Sequence, residues 1–348
     1  MPLQVTHRQA VAHRLHTHHL TTRLPSGSYA AAARFALQDS APRSALLSLH
    51  ARVEGCVPSA WKDPSLVQTY SPRAAVHVLP RVDFGTFTVG RLPSDPDARA
   101  VIEAMADRIC HALDGRELRI GYLPSDLQGT VRPAAAGGRL AVRWTTSSLF
   151  VREVTLPDVD RAEARLELCR RHLHAYGPST PTAFAWWAGI STQDAQQTWR
   201  RLRADLLTVD FDGHRAAILA ADEPALSSAS EVHGVRLLPA EERRLFGRDR
   251  TGLFVAPEWR GSAHPYSDTF HPHVVVVDGK VIGAWGRRGG RVVVKVGEGL
   301  PQRVRAALEG EALAFPIPGA TMRVELCELP GPSHQSQRDQ GELRDETG

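Results

Sequence analysis

Along residues 178–219 the apolar positions repeat first at helical spacing and then at every second residue. That change of period predicts a helix-turn-helix closed by a β-hairpin. Thr180 is placed to cap a helix whose first residue is Pro181, with Phe184, Trp187 and Ala188 on one face and Gly189 at its end. Ser191, with Asp194 three residues on, forms an acidic variant of the capping box and opens a second helix that turns Ala195, Trp199, Leu202 and Leu206 inward. Its other face carries Gln193, Gln196, Gln197, Arg200, Arg201 and Arg203. Alternating runs at 207–211 and 215–219, joined by Asp212-Gly213, predict a two-residue hairpin, the wing of a winged helix.

The same grammar recurs upstream. Thr6 is placed to cap a helix through His19 with Val11 and Leu15 inward, an Ala-rich stretch covers 29–38, and a helix from Pro42, capped by Ser40 or Ala41, runs through Arg52. Strands at 66–70 and 75–79 follow around a Ser71-Pro72 turn. A second set has a helix near Pro96 capped by Ser94, with Val101, Met105, Ile109 and Leu113 on one side, a short helix within 122–136, and a hairpin of 140–144 with 149–154. A long helix from Asp158, holding Leu166, Cys169, Leu173 and Tyr176, leads into the third set. After Asp222 short strands are expected at 235–238, 252–255, 273–277, 281–285, 291–296 and 322–327, with one helix at 302–313. A small barrel suits them, because closure removes exposed edges. The pattern therefore predicts an α+β chain of tandem winged-helix units at 1–92, 93–156 and 157–222, a C-terminal β-barrel at 223–330, and a polar, disordered tail at 331–348.

Composition narrows the function classes. At 348 residues, 42% hydrophobic and 23% charged, the chain is too long for one ordinary core. The net charge of +4 favours a polyanionic partner only mildly. Lys62, Lys280 and Lys295 are the only lysines. Arginine, which supplies the rest of the positive charge, suits bidentate phosphate and guanine contacts, although GC-rich coding gives the same enrichment. Cys56, Cys110, Cys169 and Cys327 lie far apart, as free thiols of a reducing compartment do. With no apolar signal core and no membrane-length run, a cytoplasmic protein without a membrane partner is expected.

The helix near the N-terminus holds His7, His13, His16, His18 and His19. Lacking a carboxylate or cysteine ligand beside it, it reads as a solvated histidine-rich helix. His264, His271 and His273 with Asp268 read as a loop entering a strand, so neither a metal nor another cofactor is expected. Trp186, Trp187 and Trp199 are expected in the core. A Gln- and Arg-rich helix face fits both a DNA groove and plain solvent.

Several stretches resemble the winged helix DNA-binding family of the AlkZ and YcaQ DNA glycosylases. They are 174–190, beginning His174-Ala-Tyr-Gly-Pro; 235–239; 245–250; and 277–285, beginning Val277-Asp-Gly-Lys. The resemblance extends to about residue 328 and implies three winged helices and a β-barrel in one chain, arranged around a DNA-sized channel. Family glycosylases carry a Gln-x-Gln or Gln-x-Asp motif near the start of the chain. The matching residues are Gln38, Asp39 and Ser40: the first glutamine is kept, Ser40 stands in the third position, and the carboxylate sits between them. Around the first hairpin the pattern Arg-Gly-Thr-x-His appears as Arg73-Ala74-Ala75-Val76-His77.

Read this way, Gln38 orients a water at the anomeric carbon and Asp39 supplies negative field and accepts the proton, with Ser40 bonding a neighbour. The other reading of Asp39-Ser40 is an N-cap ahead of Pro42. Arg43, Arg73 and His77 would lie near DNA, unless the hairpin is structural and His77 a satisfied core histidine. No lysine adjoins the motif in sequence, so a monofunctional hydrolase is implied, acting on alkylated or crosslinked bases in double-stranded DNA. The alternative is a non-catalytic DNA-binding protein, regulatory or protective, on the same scaffold. Three units and a barrel in one chain imply a monomer rather than a dimeric two-half-site reader.

Overall fold

The computed structural model describes residues 2–41, 43–145, 147–229, 231–246 and 273–329. The chain forms two compact units, 1–229 and 230–348.

In the first unit the expected third module is built as its caps dictate. Helix α1 (Arg161–Tyr176) starts at Asp160, whose carboxylate accepts from the Glu163 N–H at 2.9 Å. Helix α2 (Pro181–Ala188) starts at Thr180, which accepts from the Ala183 N–H at 3.2 Å, and stops at Gly189 with φ +69°. Helix α3 (Thr192–Arg201) starts at Ser191, which accepts from the Asp194 N–H at 3.0 Å and donates to its carboxylate at 3.0 Å. The hairpin pairs Leu206–Phe211 with His214–Leu219, and Asp212 and Gly213 both take positive φ, as a right-twisting two-residue turn requires. Leu168, Cys169, Phe184, Trp187, Ala195 and Leu202 are buried together between the helices. Trp199 and Leu206 are half-buried.

Two polar residues join that inward face. Asp194 lies 2.8 Å from Arg165 of α1, with side chains only 8% and 5% exposed, and also accepts from the Ser94 N–H at 3.2 Å. Burial works against the Asp194 charge, but Ser94, Arg165 and Ser191 outweigh it and hold the carboxyl below its ordinary value. Trp186 leaves the core expected for it: one residue from Trp187, it is rotated about 100° off the inward face and is 59% exposed.

The two upstream hairpins, Leu66–Ser71 with Ala75–Pro80 and Leu140–Trp144 with Leu149–Glu153, join through Gln68 opposite Val142. Short strands Leu37–Gln38 and Leu118–Arg119 edge them, giving one six-stranded sheet. The Ala-rich stretch is helical only at Tyr29–Ala32, then passes through Ala36 at φ +60° into the edge strand. The helix at Pro96–Leu113 is capped by Asp95, not Ser94; the Asp95 carboxylate accepts from the Ala98 N–H at 2.7 Å. The Ser94 hydroxyl accepts instead from Arg165 at 2.9 Å.

The N-terminal segment belongs in space to the third module. Strand Leu3–Val5 pairs in parallel with Leu206–Phe211, and helix His7–Thr17, opened by a Thr6/Gln9 capping box, packs against α1. The helix is not the solvated one expected. His13, Arg14 and His18 are buried in it, and Arg14 donates to the Tyr176 and Gly177 carbonyls at 3.0 and 3.2 Å, closing the C-terminal end of α1.

His172 of α1 is buried among Tyr176, Phe184 and Trp187, with Nε2 2.8 Å from the Ser179 hydroxyl. Burial, helped by the charge of Arg14, pushes its pKa down to about 3. In the unfolded chain a histidine titrates near ~6.5, so below that pH only the unfolded state takes up this proton, and stability falls as pH falls, by about 1.4 kcal/mol per unit down toward the folded value. Urea midpoints are expected to drop between pH 7.5 and 5.5, less steeply in His172→Gln. An unchanged midpoint would contradict the burial argument.

The second unit has strands at Val235–Leu238, His273–Val277, Lys280–Arg288, Arg291–Gly297 and Arg323–Leu329 in sequential order. The first four are antiparallel; the last pairs in parallel with Arg291–Gly297 after the crossover helix Gln302–Leu313. Among the described residues this sheet does not close into the expected barrel. The helix packs against the first and last strands of the sheet. The strand expected at 252–255, His264, Asp268 and His271, and the tail at 331–348 lie outside the described residues. Among those described, no helix is long and apolar enough to cross a membrane.

Candidate functional site

Gln38 and His77 are direct cross-strand neighbours, because the edge strand Leu37–Gln38 pairs with Ala75–Pro80. Gln38 is half-buried, and its Nε2 donates to the exposed Ser40 hydroxyl at 2.6 Å. The serine in the third motif position thus orients the amide, the neighbour contact expected of it.

The helix expected from Pro42 with its cap at Ser40 or Ala41 begins instead at Ser44, with Arg43 at the N-cap position, and Asp39 reaches its first turn from outside the helix. Asp39 is 2% exposed; one carboxylate oxygen accepts from the Ala45 N–H at 3.1 Å, at the start of helix Ser44–Arg52, and the other from Gln68 Nε2 at 2.8 Å. Its charge therefore sits where a helix N-terminus favours it. A carboxylate so enclosed is placed to act through its field, and the expectation that it takes a proton from water at the surface does not fit this position. Gln68 also accepts from the Trp144 N–H at 2.8 Å, so one amide fixes Asp39 and joins the first hairpin to the second.

His77, 2% exposed with Nδ1 2.9 Å from the Ala75 carbonyl, is a buried histidine of the sheet rather than a surface phosphate ligand. Arg73 is exposed at the hairpin tip, with its guanidinium 4.3 Å above the Trp186 ring. The backbones meet there too: a Cβ on Gly189 would lie 3.2 Å from the Arg73 Cα. Arg91, buried beneath, donates to the Ala188 and Tyr70 carbonyls at 2.8 and 3.3 Å, and burial pushes its pKa down to about 10. The first hairpin and the third module are therefore locked together.

Arg43, in a left-handed conformation with φ +68°, stacks 4.1 Å over Trp61, and Lys62 lies 5.1 Å from the same ring. This pairing brings a lysine beside the helix that follows the motif. Sequence distance hid it.

On α3 the side chains of Gln193, Gln196, Gln197, Arg200 and Arg201 are all exposed, as is Arg203 just beyond it. Arg201 pairs with Glu163 at 3.1 Å, an exposed contact of little strength. Gln196, Trp199, Arg200 and Arg203 share a groove of about 630 Å³ with Thr208 and Arg215 of the wing. Arg215 was missed in sequence. Its signal was the outward position it takes in an alternating strand.

Residues 32–315 match the family described as DNA glycosylase AlkZ-like. The chain is similar to an interstrand DNA cross-link repair glycosylase of Streptomyces sahachiroi, 31% identical over 134 residues, which is 37% of this chain and 35% of that protein. The aligned part thus spans about a third of that relative's length. In fold it is similar to the Streptomyces sahachiroi DNA glycosylase AlkZ, with a TM-score of 0.73 and 20% identity, over 93% of this chain and all of the other. On the match running from the residues before Gln38 through the third module and into the second unit, this chain belongs to the AlkZ-like DNA glycosylase family.

Proposed function

We propose that the protein is a monofunctional DNA glycosylase that hydrolyses the N-glycosidic bond of alkylated or crosslinked bases in duplex DNA. The observation that carries the reading is the Gln38 amide, half-exposed and oriented by Ser40, within a chain whose family membership spans both this turn and the arginine-rich third module. A base alkylated at a ring nitrogen is already a good leaving group, so the protein must chiefly favour the oxocarbenium ion and position one water. Gln38 positions the water; Asp39, enclosed next to it and held by Ala45 and Gln68, supplies a fixed negative field. The helix-plus-hairpin modules act as winged helices, with α3 and Arg215 holding the phosphate backbone. The protein acts as a cytoplasmic monomer, and the base release needs no catalytic cofactor.

The test is incubation of pure full-length protein with duplexes carrying 7-methylguanine or an alkyl interstrand crosslink, scoring free base and unhooked strands. Borohydride is expected to trap no covalent complex, because Lys62 is not the nucleophile. Replacing Arg200, Arg203 and Arg215 together by alanine is expected to weaken duplex binding about 100-fold and to flatten the log-affinity against log-salt slope by about 2 to 3. An unchanged slope would remove that face from the interface.

One observation favours a second reading, a non-catalytic DNA-binding protein: Asp39 is fully engaged as a structural cap and Ser40 replaces the second amide or carboxylate of the family motif. Tight duplex binding without release from either substrate would support it.

A further inference from the structure

We propose that His13, His174 and Asp222 form a binding site for a borderline divalent transition-metal ion, zinc in the first place, that clamps the N-terminal helix onto the third module. The three residues come from separate stretches: the middle of helix His7–Thr17, the last turn of α1, and the 3-10 turn Ala220–Asp222 that follows the wing. Folding brings one ligand atom of each to within 4.8 Å of the others. The carboxylate that the histidine-rich helix lacks in sequence is thus delivered from more than 200 residues away.

The donor set is two imidazoles and one carboxylate oxygen. Two nitrogens with one oxygen suit zinc and its neighbours, whereas calcium and magnesium take oxygen. Ligand atoms around tetrahedral zinc lie about 3.3 Å apart, so small rotations complete the site. His174 Nδ1 and Asp222 Oδ1 are already 2.8 Å apart.

A second observation points to a missing partner. Asp222 is 9% exposed, and its Oδ2 is buried without a hydrogen-bond partner. Such an oxygen is costly unless something takes its lone pair, and a cation beside it would. His13 is 5% exposed, and its ligand nitrogen lies within 4.8 Å of the ligand atoms of His174 and Asp222. The His174 side chain is about one-third exposed, which leaves room for water as fourth ligand.

The site lies outside the Gln38 turn and does not depend on the glycosylase reading. Full-length, tag-free protein stripped with chelator is titrated with cobalt(II) and followed by visible absorption, then back-titrated with zinc(II). One equivalent of cobalt with tetrahedral-type bands, displaced by zinc, is expected. Asp222→Asn and His174→Gln, each checked for native circular dichroism, are expected to weaken binding about 100-fold, at or beyond the loss from removing an outer partner of a ligand. His16→Gln, on the exposed side of the same helix, is expected to change nothing. No cobalt spectrum in the unaltered protein overturns the proposal. So does binding that survives Asp222→Asn, or binding lost in His16→Gln instead.

Discussion

Gln38→Ala is expected to lower the single-turnover rate of base release about 100- to 1,000-fold while leaving duplex affinity within about twofold. The amide is half-buried at the surface end of the motif, and the exposed Ser40 already holds its orientation. Removing it takes away the water's acceptor in the transition state and little of the ground-state contact, so the loss falls on the chemical step. Ser40→Ala loosens the amide without removing it, and a loss of about tenfold or less is expected. Asp39→Ala behaves differently, because its carboxylate bonds Ala45 and Gln68 in the interior: melting temperature falls with activity. Wild-type release from Gln38→Ala would end the catalytic assignment.

The largest structural effect is expected at Asp194. Alanine there removes the partner of a buried arginine, the acceptor for the Ser191 hydroxyl and the acceptor for the Ser94 N–H together, and stability is expected to fall by about 3 kcal/mol or more. The loss is read from urea midpoints. Replacing Arg165 by methionine in the same chain recovers part of it, because most of the cost is the guanidinium left charged in a dry site. Equal losses in the single and double variants would mean that the ion pair is incidental.

Local rules made the third module legible before any coordinates: Thr180 with Pro181, Ser191 with Asp194, and Asp212-Gly213 each specify a backbone conformation within three or four residues. The helix Gln302–Leu313 takes the bounds expected for it, without a capping side chain. Misreadings arose where distant segments decide. Asp95 and Ser94 both suit a cap, and Arg165, 71 residues on, draws the Ser94 hydroxyl away. Periodicity leaves His13 ambiguous between solvent and core, and the packing of α1 against its helix resolves it. Among the described residues the sheet of the second unit does not close, and alternation along single strands does not encode whether it should. At the motif, residue types did not show that Asp39 would be buried between a half-buried Gln38 and an exposed Ser40.

The pairing of Leu3–Val5 with Leu206–Phe211 has a consequence for how the protein is made. The first strand leaves the ribosome about 200 residues ahead of the one it joins, a delay on the order of 10–40 s at ordinary elongation rates. During that interval the two upstream hairpins have time to assemble while the amino-terminal strand waits with its backbone groups unmatched. Completion of the first unit is therefore timed by emergence of the third wing, and a nascent chain stalled before it would present an open strand edge to chaperones or to other chains.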